Sequence, residues 1–263
     1  MLRGLSSVLI VTGVLLVADG AVTLAWQEPL SAIYASIQQD QLNGQLHQLE
    51  RTAPTPAELR ALAAMRGARE RIRFLARELW ARAHPGQALG RIKIPKINAN
   101  YVVVQGTDET SLHKGPGHYP ATPLPGMPGT VAIAGHRTTY LAPFRRINEL
   151  KPGNNITLEM PYGIFTYRVQ YVRVVLPTDL AILRPQGYDR LVLSACHPLY
   201  SASHRIIAFA ALVRIQPQGA VLAVPGASAT PLRPLAATTV TPLQSLPPVT
   251  NAPPLRSLPN SGP

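Results

Sequence analysis

The stretch LVLSACHPLYSASHR, residues 191–205, holds the single cysteine of a 263-residue chain. An apolar run delivers Cys196 to the edge of a loop that carries His197 and His204 and ends at Arg205. A thiol in such a place is either inert packing or a nucleophile. Nucleophilic use needs a neighbour that favours the thiolate and moves a proton, a donor for a developing oxyanion, and access to substrate. A second stretch, AIAGHRTTYLAPFRRINEL, sets His136 just past an apolar run, at a glycine that lets the backbone turn toward a groove. Arg205 follows Cys196 by nine residues, so the loop from His197 to His204 folds the chain back and brings Arg205 beside Cys196. Singly, a strand-end cysteine is more often filler, and His136 or Arg205 a surface or capping group. Together they favour the chemical reading.

These residues must be held by a scaffold, and residues 89–216 have the texture of one. RIKIP, YVVVQG, TVAIAG, NITLEM, FTYRVQYVRVVLP, RLVLSAC and RIIAFAALVRI read as strands, separated by Gly- and Pro-bearing turns such as KINAN, PGMPG and LKPGNN. Helical pieces fit at Ser111–Lys114 and Leu141–Leu150, so the class is mainly β, a barrel or sandwich with short helical insertions. His113, His118, His197 and His204 show no zinc-ligand spacing that Cys196 completes, so no metal and no other cofactor is expected. Asp108 and Glu109 are adjacent and read as a turn, not a carboxylate pair.

Before this domain, residues 1–26 form an apolar segment long enough to span a bilayer, with Trp26 as an interfacial aromatic and Asp19 as its one acid. Arg3 precedes it and Gln27–Glu50 has neither Lys nor Arg, which sets the N-terminus in the cytoplasm and the body outside. A cleaved signal peptide, with Val8–Ala18 as its core, is the competing reading. Residues 27–88 read as a helical juxtamembrane stalk broken at TAPTP. Thr55 and Glu58 start its second helix, with Arg66, Arg69, Arg73 and Arg77 on one face and Met65, Ile72, Leu75 and Leu79 on another. Residues 217–263 are Pro-, Ala- and Thr-rich without an acid and are expected to be disordered or extended. A net charge of +12 suits an anionic envelope or membrane surface; no nucleic-acid motif accompanies it, so nucleic acid is not an expected partner.

IPKI, HKGPGHYP, VAIAGHRTTYLAPFRRINEL and LVLSACHPLYSASHRIIAFA resemble the sortases, cysteine transpeptidases of Gram-positive cell surfaces, and most closely their class E group. The chain order His, Cys, Arg also matches. The resemblance covers Leu89–Gln216 and implies a closed eight-stranded β-barrel. It implies Cys196 as nucleophile on the Thr–Gly carbonyl of a sorting signal, here an LAxTG-like one, with a threonyl thioester intermediate. His136 is implied as the acid/base and Arg205 as the group that hydrogen-bonds substrate and oxyanion. Ala134 and Ala195 are expected substrate contacts, Ala195 standing where sortases usually carry Thr, and Pro177–Asp189 occupies the position of the loop that holds the signal's first residues. The implied partners are secreted proteins bearing the signal, an amine of the cell-wall peptidoglycan precursor, and the membrane. The implied enzyme is a cell-membrane, single-pass thiol peptidase and transpeptidase with its catalytic domain extracellular. A pilus-polymerising sortase and a catalytically silent peptide-binding barrel are the alternatives. LPNSG, Leu258–Gly262, is a near-match to a signal, but Ser261 stands for Thr and self-processing is not expected.

Overall fold

The structure, a computed structural model, describes residues 2–25 and 29–234; Trp26 and the tail string LPNSG lie outside the described residues. Eight strands close into a barrel: β1 (Ala88–Ile94), β2 (Ala99–Gln105), β3 (Gly117–His118), β4 (Thr130–Ala134), β5 (Asn155–Met160), β6 (Gly163–Val175), β7 (Arg190–His197) and β8 (His204–Pro217). Their order around the barrel is β1-β2-β3-β4-β7-β8-β6-β5. The expected closed, mainly β architecture is therefore borne out, and the seven sequence runs account for every strand but β3. That strand is two residues long, too short for any alternation to show, yet it closes the barrel by pairing β2 in parallel and β4 antiparallel. Gly117 permits this, because a Cβ there would collide with the Gly106 carbonyl.

Alternation along the strands sorts side chains between two sides of the wall. Val131, Ile133, Leu191, Leu193, Ala195, Ile206, Ala208 and Ala210 face the main core with Phe165 and Tyr167. Ala132, Val192, Ile207 and Phe209 form a second, outer cluster with Ile182. Strands β4, β7 and β8 are thus buried on both faces, which explains why they read as continuous apolar runs. The outer cover is the connection from β6 to β7, whose 3₁₀ turn Leu180–Leu183 lays Ile182 on the sheet.

Helices pack around this wall. Helix α1 (Leu2–Ala25) is exposed over residues 4–21, and Gly4–Ala21 is the one segment among the described residues long and apolar enough to cross a membrane. Helix α2 (Pro29–Arg51) docks on β1 and β2: Leu42 and Leu46 pack with Ala88, Val102 and Val104. Gln39 on the same helix accepts from the Val102 N–H at 2.8 Å and donates to the Val102 and Lys114 carbonyls at 3.1 and 2.8 Å. A side-chain amide here satisfies peptide groups that no neighbouring strand reaches.

The second stalk helix departs from expectation. It is two helices, α3 (Pro56–Ala64) and α4 (Ala68–Arg82), separated at Met65–Gly67, where the backbone of Met65 and Gly67 is extended. Glycine weakens helix continuity, and the Arg66 N–H turns instead to the Glu70 carboxylate at 3.1 Å. The start is as read: Thr55 and Glu58 form a reciprocal capping box. Ile72, Ala76 and Leu79 of α4 belong to the main core. Beyond β8 the chain also departs from expectation, since Val221 and Val224 are buried and Leu232 exchanges two backbone hydrogen bonds with Ile215. Average composition concealed three apolar residues spaced to cover the barrel's edge. Helix α5 (Glu109–Lys114) starts at Asp108, whose carboxylate accepts from the Ser111 N–H at 3.0 Å and hydroxyl at 2.6 Å.

Candidate active site

The parallel pair β4–β7 aligns Ala134 with Ser194, and the Gly135 N–H donates to the Ser194 carbonyl at 3.0 Å, extending the register one step. His136 follows on β4 as Cys196 follows on β7. On the other side of β7, Cys196 pairs directly with Arg205 of β8. Cross-strand partners put their side chains on one face, so Cys196 and Arg205 share one, and His136, two residues past the end of β4, stands at the same end of the neighbouring strand. The predicted return of the chain is observed, with the turn confined to residues 198–203.

Cys196 is partly exposed. It opens into a cavity of about 330 Å³ lined by Arg137, Thr138, Thr139, Tyr200, Ser201 and Ala202. Arg205 Nη1 donates to the Ala202 and His204 carbonyls at 2.9 and 3.1 Å, which braces the turn against the strand. Ala134 is half-buried, on the outer face with Ala132 and on the same side as Cys196. Ala195 corrects expectation. It is 3% exposed and sits in the main core beside Ile206, because the period of two that exposes Cys196 turns its neighbour inward. Its side chain is closed to substrate.

The His136 loop is built differently. The Phe144 N–H donates to the His136 carbonyl at 3.1 Å, and the fully buried Phe144 ring packs so closely on Gly135 that a Cβ would stand 2.6 Å from it. Tyr140, Leu141 and Ala142 then run through positive φ (49°, 62° and 40°), a conformation non-glycine residues seldom hold. The run turns Tyr140 back over the site: its ring centre lies 5.1 Å from that of His136 and 3.9 Å from that of His113, stacked at 16°. Tyr34 of α2 meets Tyr140 edge-on at 6.4 Å, and the Tyr140 N–H donates to the Ser31 hydroxyl at 3.3 Å. Under this cover His136 Nε2 is buried without a hydrogen-bond partner. Burial holds the His136 pKa below its ordinary value; the His113 charge adds to this and Glu109 opposes it.

Residues 92–213 match the family model described as the sortase domain. The chain belongs to the sortase family. It is 40% identical to Sortase D of Bacillus subtilis (strain 168) over 114 residues, which is 43% of this chain and 56% of that one. To Sortase SrtE1 of Streptomyces coelicolor it is 31% identical over 150 residues, 51% of this chain and 43% of that one. The chain thus spans about half the length of the curated relatives it matches. Among solved structures, sortase E from Streptomyces avermitilis is 34% identical, with 51% of this chain and 93% of that one covered at a TM-score of 0.47. Sortase C from Clostridium perfringens SM101, at 20% identity, covers 66% of this chain and 98% of that one with a TM-score of 0.53, a likeness of fold.

Two side chains of this sortase went unremarked in the sequence reading. Arg137 and Tyr140 lie inside the quoted His136 stretch, yet a register argument says nothing about a loop outside any strand. His118, one of the histidines left over, is a buried structural residue: it bonds Gln105 at 2.8 Å, and burial pushes its pKa down to about 4. Among the described residues no three His, Cys, Asp or Glu side chains are grouped to hold a metal ion.

Proposed function

We propose that this sortase is a membrane-anchored cysteine transpeptidase that cuts a C-terminal sorting signal of LAxTG type between Thr and Gly and joins the Thr to an amine of the cell-wall precursor. The observation that carries the reading is the cross-strand pairing of a solvent-reaching Cys196 with Arg205, beside strand β4, which His136 follows by two residues. The Cys196 sulfur attacks the Thr carbonyl as its proton passes to His136, and the Arg205 guanidinium, which carries five donors, meets the oxyanion. His136 gives a proton to the departing glycine amine and leaves a threonyl thioester. The incoming amine then attacks the thioester, returning a proton to His136 and the thiolate to Cys196. A depressed His136 pKa favours the neutral ring, which is free to take the Cys196 proton, and makes the protonated ring a stronger acid toward the departing amine.

The signal lies, in this reading, along the outer face of β4 and β7, with Ala134 beneath it and the connection 176–189 as its wall. Arg190 supports that wall: its Nη2 donates to the Ile182 and Arg184 carbonyls at 2.6 and 3.1 Å, and the guanidinium sits 5.1 Å from the Phe209 ring centre. Exposed Leu176 and Leu180 form an apolar lip there, matched to the signal's leucine. Helix α1 anchors the protein with its N-terminus cytoplasmic; residues 27–88 are the juxtamembrane segment and residues 89–216 the extracellular catalytic domain. The test is incubation of the detergent-solubilised full chain with an LAxTG peptide and an oligoglycine amine. The expected result is a ligated product with masses fitting cleavage after Thr. Binding without cleavage would instead favour a silent peptide-binding barrel.

A further inference from the structure

We propose that Arg137 is a positioning residue for Cys196: its buried guanidinium ties the end of β7 to the His136 loop and supplies the fixed positive charge beside which the thiolate forms. The inference rests on the reading of Cys196 as nucleophile. Arg137 is 5% exposed. Its Nε donates to the Arg145 carbonyl at 3.3 Å and its Nη2 to Asn148 Oδ1 at 2.9 Å, both in the loop that begins at His136. Its Nη1 donates to the Cys196 carbonyl at 3.3 Å and to His197 Nδ1 at 3.0 Å. One planar fork therefore holds both sides of the cavity into which Cys196 opens.

Every one of those acceptors is neutral. A guanidinium cannot shed its proton near neutral pH, so its burial is compensated by hydrogen bonds alone unless an anion is near. Among the described residues the ion pairs at Arg82, Lys93, His113, Arg146 and Arg173 leave Arg137 without a carboxylate. The ionisable acid its charge does reach is Cys196. Burial and the Arg145 charge hold the Arg137 pKa below its usual range, and Cys196 acts in the opposite direction. A guanidinium that stays charged near neutral pH is thus held at the backbone of the one thiol, and it is against this charge that the proposal has the thiolate form. The bond to His197 acts in the same sense. A guanidinium only donates, so Nδ1 accepts there and the His197 ring carries its proton on Nε2, leaving Arg137 as the cation that holds that peptide. Arg205 differs, being more exposed and bonded to the carbonyls of its own turn.

The experiment is alkylation of the full chain by iodoacetamide at pH 7 in detergent, read by mass; the single cysteine makes the rate specific to Cys196. Arg137→Gln is expected to slow alkylation roughly fivefold or more, and Asn148→Asp, which keeps the arginine but offers it a carboxylate, roughly threefold. Arg137→Lys should restore alkylation while ligation of the signal peptide stays low, because one ammonium cannot hold four acceptors. Thermal unfolding of each variant reports whether it is folded, and if Arg137→Gln is not, Asn148→Asp and Arg137→Lys still decide. Alkylation at the parent rate in folded Arg137→Gln, or in Asn148→Asp, overturns the inference. Because alkylation needs no substrate, failure of the transpeptidase reading would appear separately, as absence of ligation by the parent protein.

Discussion

Cys196 and Arg205 on one side, and His136 on the other, reach the same end of the barrel by different physics. The β7–β8 corner is set by a ladder: each backbone bond from Arg190↔Ala211 to His197↔His204 repeats the register, and the pairing of Cys196 with Arg205 follows from counting. The His136 loop has no ladder beyond Gly135. It is held by a buried ring, Phe144, by three successive residues at positive φ, and by aromatic neighbours from α5 and α2. A repeated backbone pattern tolerates side-chain exchange at any one position. A loop held by unique contacts does not.

The ladder side can be broken only at its chemistry. Cys196→Ala is expected to abolish cleavage and ligation, since the one thiol is the one route to a thioester, while circular dichroism and the unfolding temperature stay near those of the parent. Residual turnover in a peptide assay would remove the covalent mechanism. Arg205→Lys keeps the charge and the strand but loses the planar fork. The expected loss in kcat/KM is on the order of 10²-fold, as for removal of one oxyanion donor. A variant near the parent value would show that charge alone suffices at this corner.

The same contrast explains what the sequence made legible. Strands were readable wherever alternation or a β-branched run exceeded about four residues, and the Cys196–Arg205 pairing was readable because a short turn between apolar runs has one economical closure. β3 was not, because two residues have no period. Ala195 was misread as a substrate contact because the resemblance fixed its place beside Cys196 in the chain, whereas the period of two turned it into the core. Arg137 and Tyr140 stood in plain sight within the His136 stretch. Their roles depend on Asn148, His197, His113 and Ser31, none of which is a neighbour by any strand or helix rule. The break at Gly67 and the burial of Val221 have the same cause: packing overrode what local composition suggests.

The loop side is sharpened by its titration. His136 has its pKa held down chiefly by burial and secondarily by His113, with Glu109 pulling the other way. Replacing His113 by Gln removes a like charge, so the pKa of His136 should rise toward its ordinary value without reaching it, because burial remains. The neutral imidazole would then be lost at a higher pH, and the acid limb of kcat/KM should move in the same direction. NMR titration of the His136 ring checks the sign. A pKa that falls in His113→Gln would mean that the stack through Tyr140 excludes water more than His113 repels charge, making desolvation the whole effect.

The smallest effect on activity is expected at the far edge of the barrel, where the chain after β8 folds back. Val221 is fully buried in the main core, and Leu232 pairs with Ile215. Removing two methyl groups from a closed site costs their transfer from water plus a cavity, so Val221→Ala should lower stability by about 2 kcal/mol. The His136 loop and the β7–β8 turn lie at the other ends of their strands, and nothing in this packing touches Cys196, so kcat/KM for the folded variant should change less than about threefold. Truncation at Gln216 removes Val221, Val224 and Leu232 together and should lower the unfolding temperature well below that of Val221→Ala. A truncated protein as stable as the parent would show that these residues merely rest on the barrel. An active-site defect at unchanged stability would instead couple the two ends, and the ladder of β8, which joins Ile215 to Arg205, would be the element to test next.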